Sequence, residues 1–186
     1  VCREFGIVSQ NVLNVYEGHT SYIHACHYAL DWKFAEDKNP QTAMGCNMVV
    51  TSSADGTVRI WNKGLMVRIL QPPSDFKSVT ALRRGKSFSM EIDPTQVMTE
   101  CPSIHSILLV PGEESRILLV PRSSMAFLVN LEGSVLQLYN SGNPEAIFLA
   151  ATITASVVFL ASSTGECLVF SLRTGKLLQT IHEDRK

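Results

Sequence analysis

Three side chains with the functional groups of a hydrolytic triad lie between positions 19 and 55: His19, Ser53 and Asp55. A serine hydrolase needs an exposed nucleophile on a strained turn and an oxyanion hole, and no Gly-x-Ser-x-Gly elbow occurs in the chain. The run Ser52-Ser53-Ala54-Asp55-Gly56-Thr57-Val58-Arg59-Ile60-Trp61-Asn62 reads instead as a turn entering a strand. Asp55-Gly56 supplies the positive-φ turn; Val58 and Ile60 then face one side of the strand, and Thr57, Arg59 and Trp61 the other. This alternation buries the polar groups beside an indole donor, and a buried polar chain is tolerated only when every member is paired. The expectation is a structural network, and no enzymatic activity.

The other chemistry-bearing clusters have equally plain readings. His24-Ala25-Cys26-His27 holds three metal-ligand types, but alternation sets His24 and Cys26 on one face and His27 on the other, as in a core strand. Arg83-Arg84-Gly85-Lys86 could touch phosphate, yet Asp75, Glu91, Asp93 and Glu100 share its segment, which suits a solvated or protein-docking loop. Ser74, Ser78, Thr80, Ser87 and Ser89 in that segment are open to phosphorylation. No Gly-rich loop opens a helix, so nucleotide binding has no support. No metal, cofactor or small-molecule substrate is expected.

Composition narrows the classes further. The 186 residues carry 16 Lys plus Arg against 17 Asp plus Glu, a net charge of −1, too even for electrostatic capture of nucleic acid. Hydrophobic residues make up 45%, enough for a packed core, and no apolar run approaches the roughly 20 residues of a membrane-spanning helix. Five cysteines without a C-x-x-C pair suggest a reducing compartment. The chain opens on Val1 with no secretory pattern, so it is expected to begin inside a larger protein.

The elements that would position these residues repeat. Val129-Asn130-Leu131-Glu132-Gly133 reappears as Phe170-Ser171-Leu172-Arg173-Thr174-Gly175, with Asn130 and Ser171 41 residues apart. Phe5-Gly6-Ile7 and Trp61-Asn62-Lys63-Gly64 begin the same strand–turn–strand unit upstream. Apolar runs complete sets of four strands: 22–30, 48–53, 57–62 and 66–70; then 104–110, 116–121, 125–131 and 135–139; then 147–155, 156–162, 167–172 and 177–181. Helical periodicity is nearly absent. Groups of four short strands at about this period predict an all-β propeller of four-stranded antiparallel blades. The units are 1–16, the end of one blade; 17–71, a blade with an insertion at 31–47; an insertion at 72–102; and blades at 103–141 and 142–182.

Gly18-His19-Thr20 followed by Ser52 to Asn62 resembles a WD repeat. In such repeats a His, a second-strand Ser or Thr, the turn Asp and the third-strand Trp hydrogen-bond in series, which the resemblance maps onto His19, Thr51 (or Ser53, two residues on), Asp55 and Trp61. The other units have lost the signature: Val129-Asn130 and Phe170-Ser171 stand where Trp-Asp would. That decay and the segments GHTSYIHACHY, SSADGTVRIWN, HSILLVPGEESRILLVPRSSMAFLVNLEGSVLQLYNSG and TGKLLQTIHED resemble the Smu-type pre-mRNA splicing factors, WD-repeat partners of the spliceosomal RED protein.

This resemblance implies part of a seven-bladed propeller acting as a non-catalytic scaffold in the nucleus. Its expected partners are RED and U2 particle proteins, engaged before spliceosome activation, without a membrane and without necessary RNA readout. RED itself is expected to bind mainly a helical region that this chain lacks. The other reading is a scaffold of a different complex, a ubiquitin-ligase substrate receptor or a trafficking coat. Ser21 and Tyr22, at the start of a strand, and Arg83, Arg84 and Lys86, in the second insertion, are the candidate partner contacts.

Overall fold

The computed structural model describes residues 1–32, 46–72, 102–110 and 115–182. A hairpin, β1 (Cys2–Phe5) and β2 (Val12–Tyr16), precedes three antiparallel four-stranded meanders. The first is β3 (Ile23–Trp32), β4 (Cys46–Ser53), β5 (Val58–Asn62) and β6 (Leu65–Leu70). The second is β7 (Ile104–Val110), β8 (Arg116–Pro121), β9 (Met125–Asn130) and β10 (Val135–Asn140), and the third β11 (Phe148–Ile153), β12 (Val157–Ser162), β13 (Glu166–Ser171) and β14 (Leu177–His182). Among the described residues there is no helix, and so none long and apolar enough to cross a membrane.

Residues 33–45 and 73–101, most of the two expected insertions, lie outside the described residues. The first insertion is narrower than 31–47. β3 runs on through Trp32, which pairs with Cys46, because the ladder with β4 continues past an irregularity after Ala29 despite the polar Asp31.

Neighbouring sheets pack face to face, and this explains why some strands read as unbroken apolar runs. In β8, Ile117 and Leu119 join Val50, Val58, Ile60 and Phe127 in a core between the first and second meanders. Leu118 and Val120 of the same strand point the other way, into a core with Tyr139, Phe148, Leu160 and Phe170 between the second and third. A strand buried on both sides loses the polar half of its alternation. A smaller cluster, Tyr16, Val49 and Trp61 with the half-buried Cys2, seats the β1–β2 hairpin on the first meander. In β5, Val58 and Ile60 enter the first core while Trp61 turns to the hairpin, so one five-residue strand serves both neighbours.

The repeat also shows in its irregularities. The first strand of each meander, β3, β7 and β11, is its inner strand, and each carries a register shift at its start, between Ile23 and Ala25, Ile104 and Ser106, and Phe148 and Ala150. His24, His105 and Leu149 are therefore equivalent extra residues, each freed from the ladder by a bulge.

Candidate functional site

The turn from β4 to β5 builds the polar centre. Gly56, at φ 80°, donates its N–H to the Ser53 carbonyl at 3.2 Å, a left-handed position that a residue with a Cβ adopts at a cost. The Asp55 side chain then folds over the strand entrance: Oδ1 accepts from the Thr57 N–H at 2.9 Å and from the Thr57 hydroxyl at 2.6 Å. Oδ2 faces His19 Nδ1 at 2.8 Å and accepts from the Thr20 N–H at 3.1 Å. His19 Nε2 lies 2.8 Å from Thr51 Oγ1, and the Trp61 indole N–H donates to that same hydroxyl at 2.9 Å.

These four side chains form one series with a single consistent direction. The Asp55 carboxylate only accepts, so His19 Nδ1, which faces it, carries the ring proton; Nε2 then accepts the one hydrogen of Thr51 Oγ1, which in turn receives the indole N–H. Every donor and acceptor of the series is then used. The His19 and Asp55 side chains are 1% and 4% exposed, and Thr51 and Trp61 are buried. Burial alone would push the Asp55 carboxyl up, but hydrogen bonds from His19 and Thr57 outweigh it and hold the group well below the usual carboxylate range.

Of the two hydroxyls that the sequence leaves open, Thr51 takes the place in the series. Ser53 is fully buried and its Oγ accepts from the Asp55 N–H at 3.1 Å, so it shapes the turn. This leaves it without the access a nucleophile requires. Gly18 fits here for a steric reason: a Cβ would stand 3.3 Å from Arg59 Cζ and 3.4 Å from Trp61 Cη2, and closer still to the guanidinium Nη1. Arg59 is itself buried beneath the site, its Nη1 donating to Met66 Sδ at 3.5 Å, and burial pushes its pKa down while Asp55 pulls it up.

The alternation expected for His24-Ala25-Cys26-His27 is broken. Cys26 faces the hairpin, where its sulfur meets Cys2, whereas His24 reaches across to the second meander, its Nε2 3.0 Å from Ser103 Oγ. The bulge at His24 is the reason, because one extra residue turns the side chain out of the two-residue period. Next to it, the His24 and His105 rings lie 6.4 Å apart, and His105 Nε2 meets the Leu149 carbonyl, linking all three inner strands. Burial, then His24 and Arg122, push the His105 pKa down. Among the described residues no group of three metal-ligating side chains converges.

Ser21 and Tyr22 lie just before β3; Ser21 is exposed and Tyr22 is 82% exposed. Arg83, Arg84 and Lys86 lie outside the described residues.

An aromatic contact that the sequence reading missed recurs between neighbouring sheets. Tyr16 closes β2 with its ring 5.7 Å from Trp61, and Tyr139, in the equivalent position of β10, lies 5.6 Å from Phe170. Phe170 has no N–H to offer, and the Tyr139 hydroxyl donates to the Leu172 carbonyl at 2.9 Å; the Tyr16 hydroxyl donates to Glu4 Oε2 at 2.6 Å. Burial raises both phenols above their ordinary range. The sequence signal was the matching strand ends Val12-Leu13-Asn14-Val15-Tyr16 and Val135-Leu136-Gln137-Leu138-Tyr139.

No protein-family model matches this sequence, and no curated protein does. Solved structures do. The WD40 beta propeller domain of Doa1 is similar over 93% of this chain and 45% of its own, at 13% identity and a TM-score of 0.61. The C-terminal WD40 domain of Sif2 is similar over 98% of this chain and 42% of its own, at 16% identity and a TM-score of 0.63. The computationally designed Ika8 protein is similar over 96% of this chain, at 15% identity and a TM-score of 0.63. The chain thus spans less than half the length of these two WD40 domains. The meanders, their face-to-face packing and these likenesses establish its fold as all-β, part of a WD40 β-propeller.

Proposed function

We propose that this chain belongs to a non-catalytic, nuclear WD-repeat scaffold of pre-mRNA splicing that works with RED and U2 particle proteins. The observation that carries the scaffold reading is the closure of the polar centre: His19, Thr51, Asp55 and Trp61 hydrogen-bond in series, the rest of the Asp55 carboxylate is taken by Thr20 and Thr57, and Ser53 is bound to its own turn. Chemistry sealed in this way stabilises a blade and leaves surface loops as the working parts. The splicing reading rests on the resemblance of the segments at 18–28, 52–62, 105–142 and 174–184 to Smu-type factors. Exposed Tyr22, with Ser21 beside it, is the aromatic anchor proposed for a partner, and Arg83, Arg84 and Lys86 are the polar contacts proposed from the second insertion.

The test is affinity purification of the chain from nuclease-treated nuclear extract, followed by mass spectrometry. RED and U2 particle proteins retained after nuclease, and lost in Tyr22→Ala, support the reading. Ligase or coat subunits in their place would reject the splicing assignment and keep a scaffold.

A further inference from the structure

Two thiols meet where the β1–β2 hairpin joins the first meander. Cys2 Sγ, on β1, lies 3.6 Å from Cys26 Sγ, on β3, and neither is in a disulfide. Both are held by ordered strands: Cys2 pairs with Tyr16 and packs against the Tyr16, Val49 and Trp61 cluster, while Cys26 pairs with Thr51. Cys26 is exposed and Cys2 half-buried, so a small oxidant reaches the pair from solvent. Another free cysteine, Cys167, sits on β13 in the third meander.

We infer that Cys2 and Cys26 are an oxidation site, a dithiol that a hydroperoxide closes into a disulfide fastening the first hairpin to the inner strand of the next blade. One of the two thiols gives its proton to solvent and its sulfur attacks the peroxide; the O–O bond breaks, that sulfur becomes a sulfenic acid, and the hydroxide that leaves takes up the released proton as one water. The other sulfur then attacks the oxidised one, the S–O bond breaks, and the proton of the attacking thiol departs with the hydroxide as a second water. Two thiols are oxidised by two electrons and one hydrogen peroxide is reduced to two waters. Partial burial of its sulfur, with Cys2 beside it, pushes the Cys26 thiol up to about 12, and the 3.6 Å approach lets either sulfur resolve the other once one is oxidised. The pair is 24 residues apart in sequence, and a cross-link over a loop of that length raises Tm by on the order of 10 °C.

The test treats the full chain with near-stoichiometric hydrogen peroxide, blocks free thiols by alkylation and maps tryptic peptides. The expected product joins the Val1–Arg3 peptide to the Glu4–Lys33 peptide, two hydrogens lighter than its reduced parts, and a reductant releases it. Cys2→Ser and Cys26→Ser abolish the link, Cys167→Ser keeps it, and the oxidised chain melts at a higher temperature than the reduced one. Sulfinic acid on single cysteines with no link, or a link made instead to Cys46, Cys101 or Cys167, overturns the proposal. Mapping of the unsubstituted chain decides this even where a serine variant fails to fold.

Discussion

Replacing Asp55 by Asn changes one atom and the charge, and the structure says where each consequence falls. The carboxylate takes four donors, two on each oxygen: the Thr57 N–H and hydroxyl on Oδ1, His19 Nδ1 and the Thr20 N–H on Oδ2. An amide keeps a single acceptor oxygen. If that oxygen stays with Thr57, the NH₂ group confronts His19 and Thr20. His19 can shift its proton to Nε2, but Thr51 Oγ1 then receives two donors and its own hydrogen has no acceptor. Thr20 is exposed and can turn to water, so one buried orphan remains, costing about 1–3 kcal/mol, together with the loss of charge-assisted bonds worth about 1.5–3 kcal/mol. Asp55→Asn is therefore expected to destabilise the chain by about 3 kcal/mol at pH 7, read by urea unfolding monitored through tryptophan fluorescence. The carboxyl has a lower pKa in the folded chain than in the unfolded one, near 3.9. Its contribution is thus complete above that value and is lost as pH falls below it. The stability gap between the parent and Asp55→Asn should narrow from about pH 4 downward. A gap under about 1 kcal/mol at pH 7, or one that does not narrow in acid, refutes the reasoning.

Three other perturbations test the same architecture by the same unfolding measurement. Trp61→Phe removes only the N–H and part of the ring, leaving Thr51 one donor short, and should cost about 1–2 kcal/mol; Trp61→Ala should cost about 3–5 kcal/mol, and a Trp61→Phe variant as stable as the parent would deny the indole bond any role. Gly18→Ala drives a methyl into the Arg59 guanidinium at a backbone φ of 152° and should cost about 1–3 kcal/mol; full tolerance would show that the Gly18 loop moves freely. Tyr139→Phe orphans the Leu172 carbonyl but keeps the stack on Phe170, so about 1 kcal/mol is expected, with a much larger loss in Tyr139→Ala.

Much of the blade pattern was legible because strand physics is local. Asp55-Gly56 demands a turn, the run from Val58 to Trp61 alternates, and the 41-residue recurrence of Asn130 at Ser171 declares a repeat. Strands next to one another in the chain pair within each sheet, since a meander is the simplest way to join them. Position by position the reading failed where a single residue left the ladder. His24 was set on the face of Cys26 by counting in twos, and the bulge sent it to Ser103 instead. Nothing in the residue types around His24 marks that bulge, because its cause is the way the inner strand starts against its neighbour.

By itself the sequence determined the all-β class, the four-strand unit and the residue types of the polar centre, because turn chemistry and side-chain alternation depend on near neighbours in the chain. Tertiary structure decided what depends on the meeting of distant strands. It chose Thr51 over Ser53 as the hydroxyl between His19 and Trp61, which were 32 and 10 residues away in sequence. It set Tyr139 against Phe170, and it brought the sulfurs of Cys2 and Cys26 together. The last two contacts are made across sheets, and the packing distance and register between sheets are fixed only when both apolar faces close on one another.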